Sequence, residues 1–384
     1  MMHMKKSTKT LCSCIALALL VGFLLYMETL KTTQGMAVSI LQKGAIFSIA
    51  AVSMNLLNGF TGLFSLGQAG FMAIGAYVTA IFTIPTEKIV AVYYMNGVSE
   101  GIMSIKRALS FLPEPVLVLL ALIAGGLVAA GFAALVGIPV LRLKSDYLAI
   151  ATLGFSEIIR ALISSPQMDK ITNGSYGLKN IPGFGGENGL GCLLVPFGIA
   201  ALCIVIMVLL IRSSYGRAFK AIAEDEVAAE AMGINLAHHK EMAFVISSFF
   251  TAVAGGLLAM YMRSIEAKTF QVILTYDILL IVVIGGIGSV TGSVIGAFLV
   301  TASKEWWLRF FDTPLKIGNF QVPLLRTGFR MVIFSLLLMA VVLFWRRGLM
   351  GNREFNWDDI PRFGRWVKRK FTKTPATEGG ERNG

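Results

Sequence analysis

The apolar residues of this chain are gathered into long blocks, and the length of those blocks restricts the fold more than anything else in the sequence. They run Leu11 to Met27, Gly44 to Leu57, Ala69 to Ile84, Val116 to Pro139, Tyr147 to Ile163, Leu193 to Ile211, Met242 to Met262, Tyr276 to Ala302 and Thr327 to Trp345. Most approach the roughly 20 residues with which an α-helix crosses bilayer hydrocarbon. A bilayer also makes each spanning segment satisfy its own backbone hydrogen bonds, and the blocks lack the period-2 alternation of barrel strands. With 55% hydrophobic and 15% charged residues, the chain reads as an all-α integral membrane protein. The expected form is a polytopic helical bundle of about eight to ten spans, at least one of them broken or re-entrant.

The formal charge of +12 would point to nucleic acid in a soluble protein. Here the Lys and Arg residues stand beside the ends of apolar blocks, so the positive-inside rule accounts for them and no nucleic-acid partner is expected. With the N-terminus inside, alternation places Arg142, Lys144, Arg212, Arg217, Lys220 and Lys240 inside as well. The tail rich in Arg and Lys after Trp345 should also be cytoplasmic. That is possible only if the block from Tyr276 to Ala302 dips in, turns at "GGIGSVTG" and returns. The chain then divides into residues 1–27, a cytoplasmic N-terminus and uncleaved signal-anchor span; residues 28–345, the transmembrane domain; and residues 346–384, a basic cytoplasmic tail. Cys12, Cys14, Cys192 and Cys203 lie within or beside apolar blocks without metal or redox spacing and read as small apolar side chains.

Glycine is used in two ways. In "GGIGSVTGSVIGAF" Gly288, Gly292 and Gly296 recur every fourth residue, and Gly125, Ala129, Ala133 and Gly137 do the same further upstream. Such small rows let helix backbones approach closely in lipid. In "NGFTGLFSLGQAGFMAIGAYVTA" the spacing is irregular: Gly59, Gly62, Gly67, Gly70 and Gly75 keep no single period. Irregular glycine predicts irregular backbone, tolerable at depth where it is buried in protein or lines a watery cavity, and Asn55, Asn58 and Gln68 are candidates to line one. Glu157 and Arg160 share a helix face and are expected to pair, with Glu157 kept beside Asn58 and Gln68 as a translocation-path candidate. Asp146 and Asp277 read as interface residues or helix-start acids. No metal site is expected, His238 and His239 included.

Between two spans lies "SSYGRAFKAIAEDEVAAEAMGINLAHHKE", Ser213 to Glu241. Phe219, Ile222, Ala223, Val227 and Ala231 fall on one helical face, Lys220 and Glu224 form an i,i+4 pair, and Gly233 is placed as a helix stop. The polar face is mostly acidic, which favours docking on a protein over lying on anionic lipid. The outer loop from Ser165 to Gly189 is read as meeting a substrate-binding protein, as capping the channel, or equally as a solvated linker. No GxxxxGK[ST] motif occurs, so any ATP chemistry belongs to another chain.

The loop resembles the coupling loop of ATP-binding-cassette importer permeases. Together with "NGFTGLFSLGQAGFMAIGAYV", "LKSDYLAIATLGFSEIIR" and "YDILLIVVIGGIGSVTGSVIGAF" it resembles the branched-chain amino acid permeases of the LivM type, from about Asn55 to Ala302. The resemblance implies that Gly216, Arg217, Glu224, Ala229 and Gly233 belong to the segment that engages an ATPase. It further implies a sister permease subunit, two ATP-binding subunits that hydrolyse the ATP, an extracytoplasmic substrate-binding protein and a place in the bacterial inner membrane, with no cofactor on this chain. Permeases for urea and short amides share much of the pattern. The competing classes are an ion-coupled secondary transporter, for which Glu157 is the strongest intramembrane acid, and a membrane enzyme, for which no catalytic constellation is evident.

Overall fold

The computed structural model describes residues 6–30, 35–93, 97–109, 111–143, 145–185 and 191–307, with short pieces at 316–317, 320–321, 335–336, 339, 348–351 and 354. Nearly all of the last apolar block and of the basic tail lies outside the described residues. The chain forms two compact units, Met1–Phe23 with Glu354–Gly384, and Leu24–Arg353. What is described of the first is the opening of a helix, α1 (Lys6–Thr29). The second carries everything discussed below.

The apolar blocks become helices. α2 (Gly35–Asn55) runs into a π-turn at Leu56–Phe60, and α3 (Gln68–Thr83) follows after an unwound stretch. Two short helices, α4 (Thr86–Val92) and α5 (Glu100–Leu109), precede α6 (Glu114–Val140) and α7 (Ser145–Ile163). α8 is the short turn Asp169–Thr172, and α9 spans Leu194–Arg212. α10 (Ser214–Glu224) and α11 (Glu226–Ala231) occupy the polar loop. α12 (Leu236–Met262), α13 (Val272–Gly285) and α14 (Val290–Ala302) complete the set. Among the described residues four helices are long and apolar enough to cross a membrane, or five if the pair Tyr147–Ile163 and Pro166–Thr172, bent by 59°, counts as one span. Gln68–Thr83 and Val272–Gly285 are shorter apolar helices, as expected of a bundle with broken segments. The small strand pair Lys316–Ile317 with Phe320–Gln321 stands apart from this helical plan.

The centre of the bundle is where α3, α6 and α12 meet. A Cβ on Gly75 would lie 2.5 Å from the Ala252 carbonyl carbon, one on Gly255 would lie 2.7 Å from the carbonyl carbon of Met72, and one on Gly125 would lie 3.1 Å from Gly75 O. These helices touch backbone to backbone, the packing that small residues permit in lipid. The row on α6 therefore packs as its periodicity predicts, with Ala129 and Ala133 fully buried.

α13 and α14 form the expected hairpin. A Cβ on Gly285 would lie 2.6 Å from the Gly292 carbonyl carbon and one on Gly296 would lie 2.7 Å from Ile281 O, so the two helices run antiparallel. The turn is carried by Gly286 (φ 119°) and Gly288 (φ 83°), backbone that favours glycine. Gly288 thus serves the turn, not the helical row in which its spacing placed it; Gly292 and Gly296 remain on the packed face. Residues 348–350 return to this turn, with Leu349 N donating to Ile284 O (2.8 Å) and Met350 N to Gly285 O (3.2 Å).

At the end of the bundle remote from α10 the loops are folded. Tyr93 Oη donates to Ile171 O (2.5 Å), Asn173 Nδ2 donates to Val92 O (3.1 Å), and Leu178 pairs with Ile265 in an isolated antiparallel bridge. As far as residue 185 the outer loop is thus a packed cap, not a solvated linker. Lys106 on α5 is buried and donates through Nζ to Ile84 O at the end of α3, a favourable place for a cation; burial pushes its amine down to about 8.

Candidate functional site

The irregular glycine stretch is irregular backbone. After the π-turn the chain is unwound from Thr61 to Gly67, with Gly62 at φ 72°, before α3 begins. Neighbouring side chains satisfy the amides released by the break. Ser65 N donates to Asn58 Oδ1 (3.2 Å), Leu66 N to Thr152 Oγ1 on α7 (3.0 Å), and Ala69 N to Thr275 Oγ1 on α13 (3.0 Å). This is the condition under which broken helices are tolerated at membrane depth.

Gln68, 2% exposed, closes a polar cluster between α2, α3 and α12. Its Oε1 accepts from Thr251 Oγ1 and its Nε2 lies 3.5 Å from Ser247 Oγ. Ser247 donates to Ser53 O (2.7 Å), and Ser53 Oγ and Thr251 Oγ1 are 2.8 Å apart. Asn55, fully buried, reaches the hairpin turn: Nδ2 donates to Ser289 O (2.9 Å) and Ser293 Oγ (2.7 Å), and Oδ1 accepts from Gly288 N (2.8 Å). Asn58 Nδ2 is buried and meets no hydrogen-bond partner among the described residues. Glu157 is held elsewhere, by Arg160, whose Nε and Nη2 both lie 2.7 Å from Glu157 Oε2. The structure thus brings Asn55, Asn58 and Gln68 to the break and leaves Glu157 in its pair on α7. Ser53, Thr152, Ser247, Thr251 and Thr275 escaped the sequence reading. Their only signal is hydroxyls within spans, Ser247 and Thr251 four apart on one helical face.

The polar loop is seated on the same break. Ser213 caps α10 by accepting from Gly216 N (3.5 Å), and Gly216 is required because a Cβ there would lie 2.6 Å from Ile211 Cα. Phe219 and Ile222 are buried against the bundle as expected. The single amphipathic helix of the sequence reading is nevertheless two. Asp225 accepts from Val227 N (2.8 Å) and Ala228 N (3.1 Å), an N-cap that starts α11 in a new direction. Val227 is consequently 78% exposed, Ala231 is exposed too, and Ala229 takes the buried place. Lys220 does not pair with Glu224; its Nζ stands 5.5 Å from the Phe60 ring centroid. Gly233, at φ 84°, follows the end of α11. Arg217, Glu224, Val227 and Met232 are left on the outer surface. Ala223, expected on the buried face, is exposed like Gly62; the two stand side by side at the break, since a Cβ on Gly62 would lie 3.1 Å from Ala223 Cα.

Helices broken at depth, a polar cluster where the broken ends meet and an exposed helical segment seated on the break define a multi-pass membrane protein of the permease class. The family described as "Branched-chain amino acid transport system / permease component" matches residues 36–343, and the chain belongs to that family. It is 32% identical over 306 residues to the high-affinity branched-chain amino acid transport system permease protein LivM of Escherichia coli, an alignment covering 72% of this chain and 65% of that protein. The probable LivM of Methanocaldococcus jannaschii is 25% identical over 80% of this chain and 91% of its own length. The LivH permease protein of Escherichia coli is 23% identical over 81% of this chain and 93% of its own. The chain thus spans slightly under two thirds of the length of the LivM proteins of Escherichia coli and Salmonella typhimurium. No solved structure matches.

Proposed function

We propose that this chain is the transmembrane permease subunit of an ATP-binding-cassette importer for branched-chain amino acids, moving substrate by alternating access. Two separate ATP-binding subunits drive it, one engaging residues 213–241 through Arg217, Glu224 and the exposed Val227 and Met232. A sister permease completes the path, and an extracytoplasmic binding protein delivers substrate to the packed cap at the opposite end. The membrane is the bacterial inner membrane, with both termini cytoplasmic. The observation that carries this reading is the seat of α10 on the π-turn and Gly62. A push on the loop reaches the broken helix without an intervening element. Glu157, the acid that an ion-coupled mechanism would use, is already paired with Arg160, which favours the ATP-driven reading.

Co-purification of the tagged chain is expected to recover two ATP-binding subunits and a sister permease. Arg217→Glu and Gly233→Pro should insert normally and lose that association. The first reverses an exposed charge on the docking face; the second forces a residue locked near φ −65° into a position at φ 84°. Normal association of both variants would remove the coupling role of the loop. Gln68→Leu tests the path. Thr251 and Ser247 keep other hydrogen bonds through Ser53, so stability should change by only about 1 kcal/mol while uptake falls several-fold. Unchanged uptake would leave Gln68 as a packing residue.

A further inference from the structure

Two ion pairs stand at the end of the bundle remote from α10, and neither lies in the polar cluster at the break. Lys43 on α2 pairs with Glu305, and Lys304 holds Asp277 of α13 by both carboxylate oxygens at 2.7 and 2.8 Å. All four side chains line one cavity of about 180 Å³, whose remaining wall is largely aliphatic and aromatic: Phe47, Leu258, Leu274, Ile281 and Val300 among others. Met262, the last residue of α12, also lines it, whereas α12 starts at Leu236 beside the coupling segment. The cavity is therefore at the mouth opposite the ATPase side. Glu305 also lines a second cavity of about 320 Å³, between the start of α2 and Tyr261. Glu305 is thus shared by the two cavities.

Charged groups in the apolar part of a bundle are expensive unless paired and commonly mark a substrate pathway. Lys43 and Lys304 bring two cations to this cavity and Asp277 and Glu305 two anions. A zwitterion entering it can exchange a resident ion pair for contacts with its own carboxylate and ammonium. A net-charged solute would leave an uncompensated charge, and a neutral amide would give no compensation for parting either pair. The wall opposite the charges supplies apolar surface for a branched side chain. Resting on the importer reading given above, we propose that this chamber is an entry subsite for a zwitterionic amino acid with an aliphatic side chain. Lys43 and Lys304 receive the carboxylate, Asp277 and Glu305 the ammonium, and Phe47 with Ile281 and Val300 the side chain.

The test uses the complete importer in proteoliposomes, with binding protein and leucine saturating. The double exchange Asp277→Lys with Lys304→Asp preserves an ion pair between α13 and the end of α14 but reverses its polarity. Maximal leucine uptake is expected to fall at least tenfold, with assembly and melting temperature unchanged. Phe47→Ala enlarges the apolar wall without touching a charge and should shift the phenylalanine-to-valine uptake ratio at least fivefold toward phenylalanine. Should the exchanged pair lower the melting temperature, that ratio decides, because it compares two substrates on the same molecules. A wild-type rate in the exchange variant together with a wild-type ratio in Phe47→Ala would reduce the ion pairs to clamps on the hairpin and overturn the proposal while leaving the importer reading intact. Failure of the wild-type complex to take up any amino acid would overturn both.

Discussion

Gly75→Ala should lower the melting temperature and the monodisperse yield of the protein sharply, although alanine is the better helix former by about 1 kcal/mol. The added methyl would lie 2.5 Å from the Ala252 carbonyl carbon and 2.6 Å from Ala252 Cα, with α6 closing the same spot through Gly125. Backbone cannot turn aside as the end of a flexible side chain can, so α3 and α12 must separate along their length. Overpacking of this kind costs about 1–3 kcal/mol and sometimes more. Gly255→Ala, which meets Met72 backbone at a neighbouring point of the same crossing, should behave alike. Gly131 on α6 and Gly198 on α9 have nothing within 4 Å of an added Cβ, and their alanine variants should be neutral or slightly more stable. Gly70→Ala, facing Ser156 Cα at 2.8 Å, belongs with the first group; Gly67→Ala, at 3.2 Å from Thr152 O, should be milder. Equal stability of Gly75→Ala and Gly131→Ala in a thermal-shift assay would refute the backbone crossing.

How far the sequence could be read follows from which signals are local. Block length gave the helices, and the irregular glycines of 58–80 gave the break, because both are properties of contiguous residues. The hairpin at Gly286–Ser289 was legible by a different route: topological parity joined to a glycine-rich turn. Which glycines touch backbone was not legible, since Gly67, Gly70 and Gly75 differ only in what another helix brings to them. The division of the polar loop at Asp225 did have a local sign. An Asp followed by Glu and then Val, Ala, Ala is an N-cap pattern, but the apolar period continues across it to Val227 and Ala231 and masks the change of direction. The pairing of Lys43 with Glu305 had no sign at all. The two residues are 262 positions apart in the chain, and only the return of α14 alongside α2 brings them together.

Replacement of Asn55 should disable the protein more completely than any other single polar change, by freeing the hairpin turn from α2. Its amide donates to Ser289 O and Ser293 Oγ and its carbonyl is the acceptor for Gly288 N, in a position with no access to water. Gly59 exists as glycine to make room for it, since a Cβ there would collide with Asn55 Oδ1 and lie 2.6 Å from Gly288 N. Asn55→Ala takes the acceptor from the half-buried Gly288 N–H and the donor from Ser289 O and Ser293 Oγ, at a cost of about 1 kcal/mol or more before the lost packing is counted. Asn55→Asp keeps the acceptor but removes the donor and buries a charge, so it should be no better tolerated. The consequence goes beyond stability because of where Asn55 stands. It ends α2 one residue before the π-turn on which α10 is seated, so it links that turn to the hairpin that lies across the bundle. In an otherwise cysteine-free protein, Ile287→Cys at the tip of the turn should react with a thiol reagent several-fold faster when Asn55 is alanine, because the turn is no longer held. If the importer reading proposed above holds, the variant should still co-purify with ATP-binding subunits, because the exposed face of residues 213–241 is untouched, and should lose uptake. If Ile287→Cys reacts at the same rate with and without Asn55, the turn is held by α13 and α14 alone and the link between loop and hairpin must run through other residues.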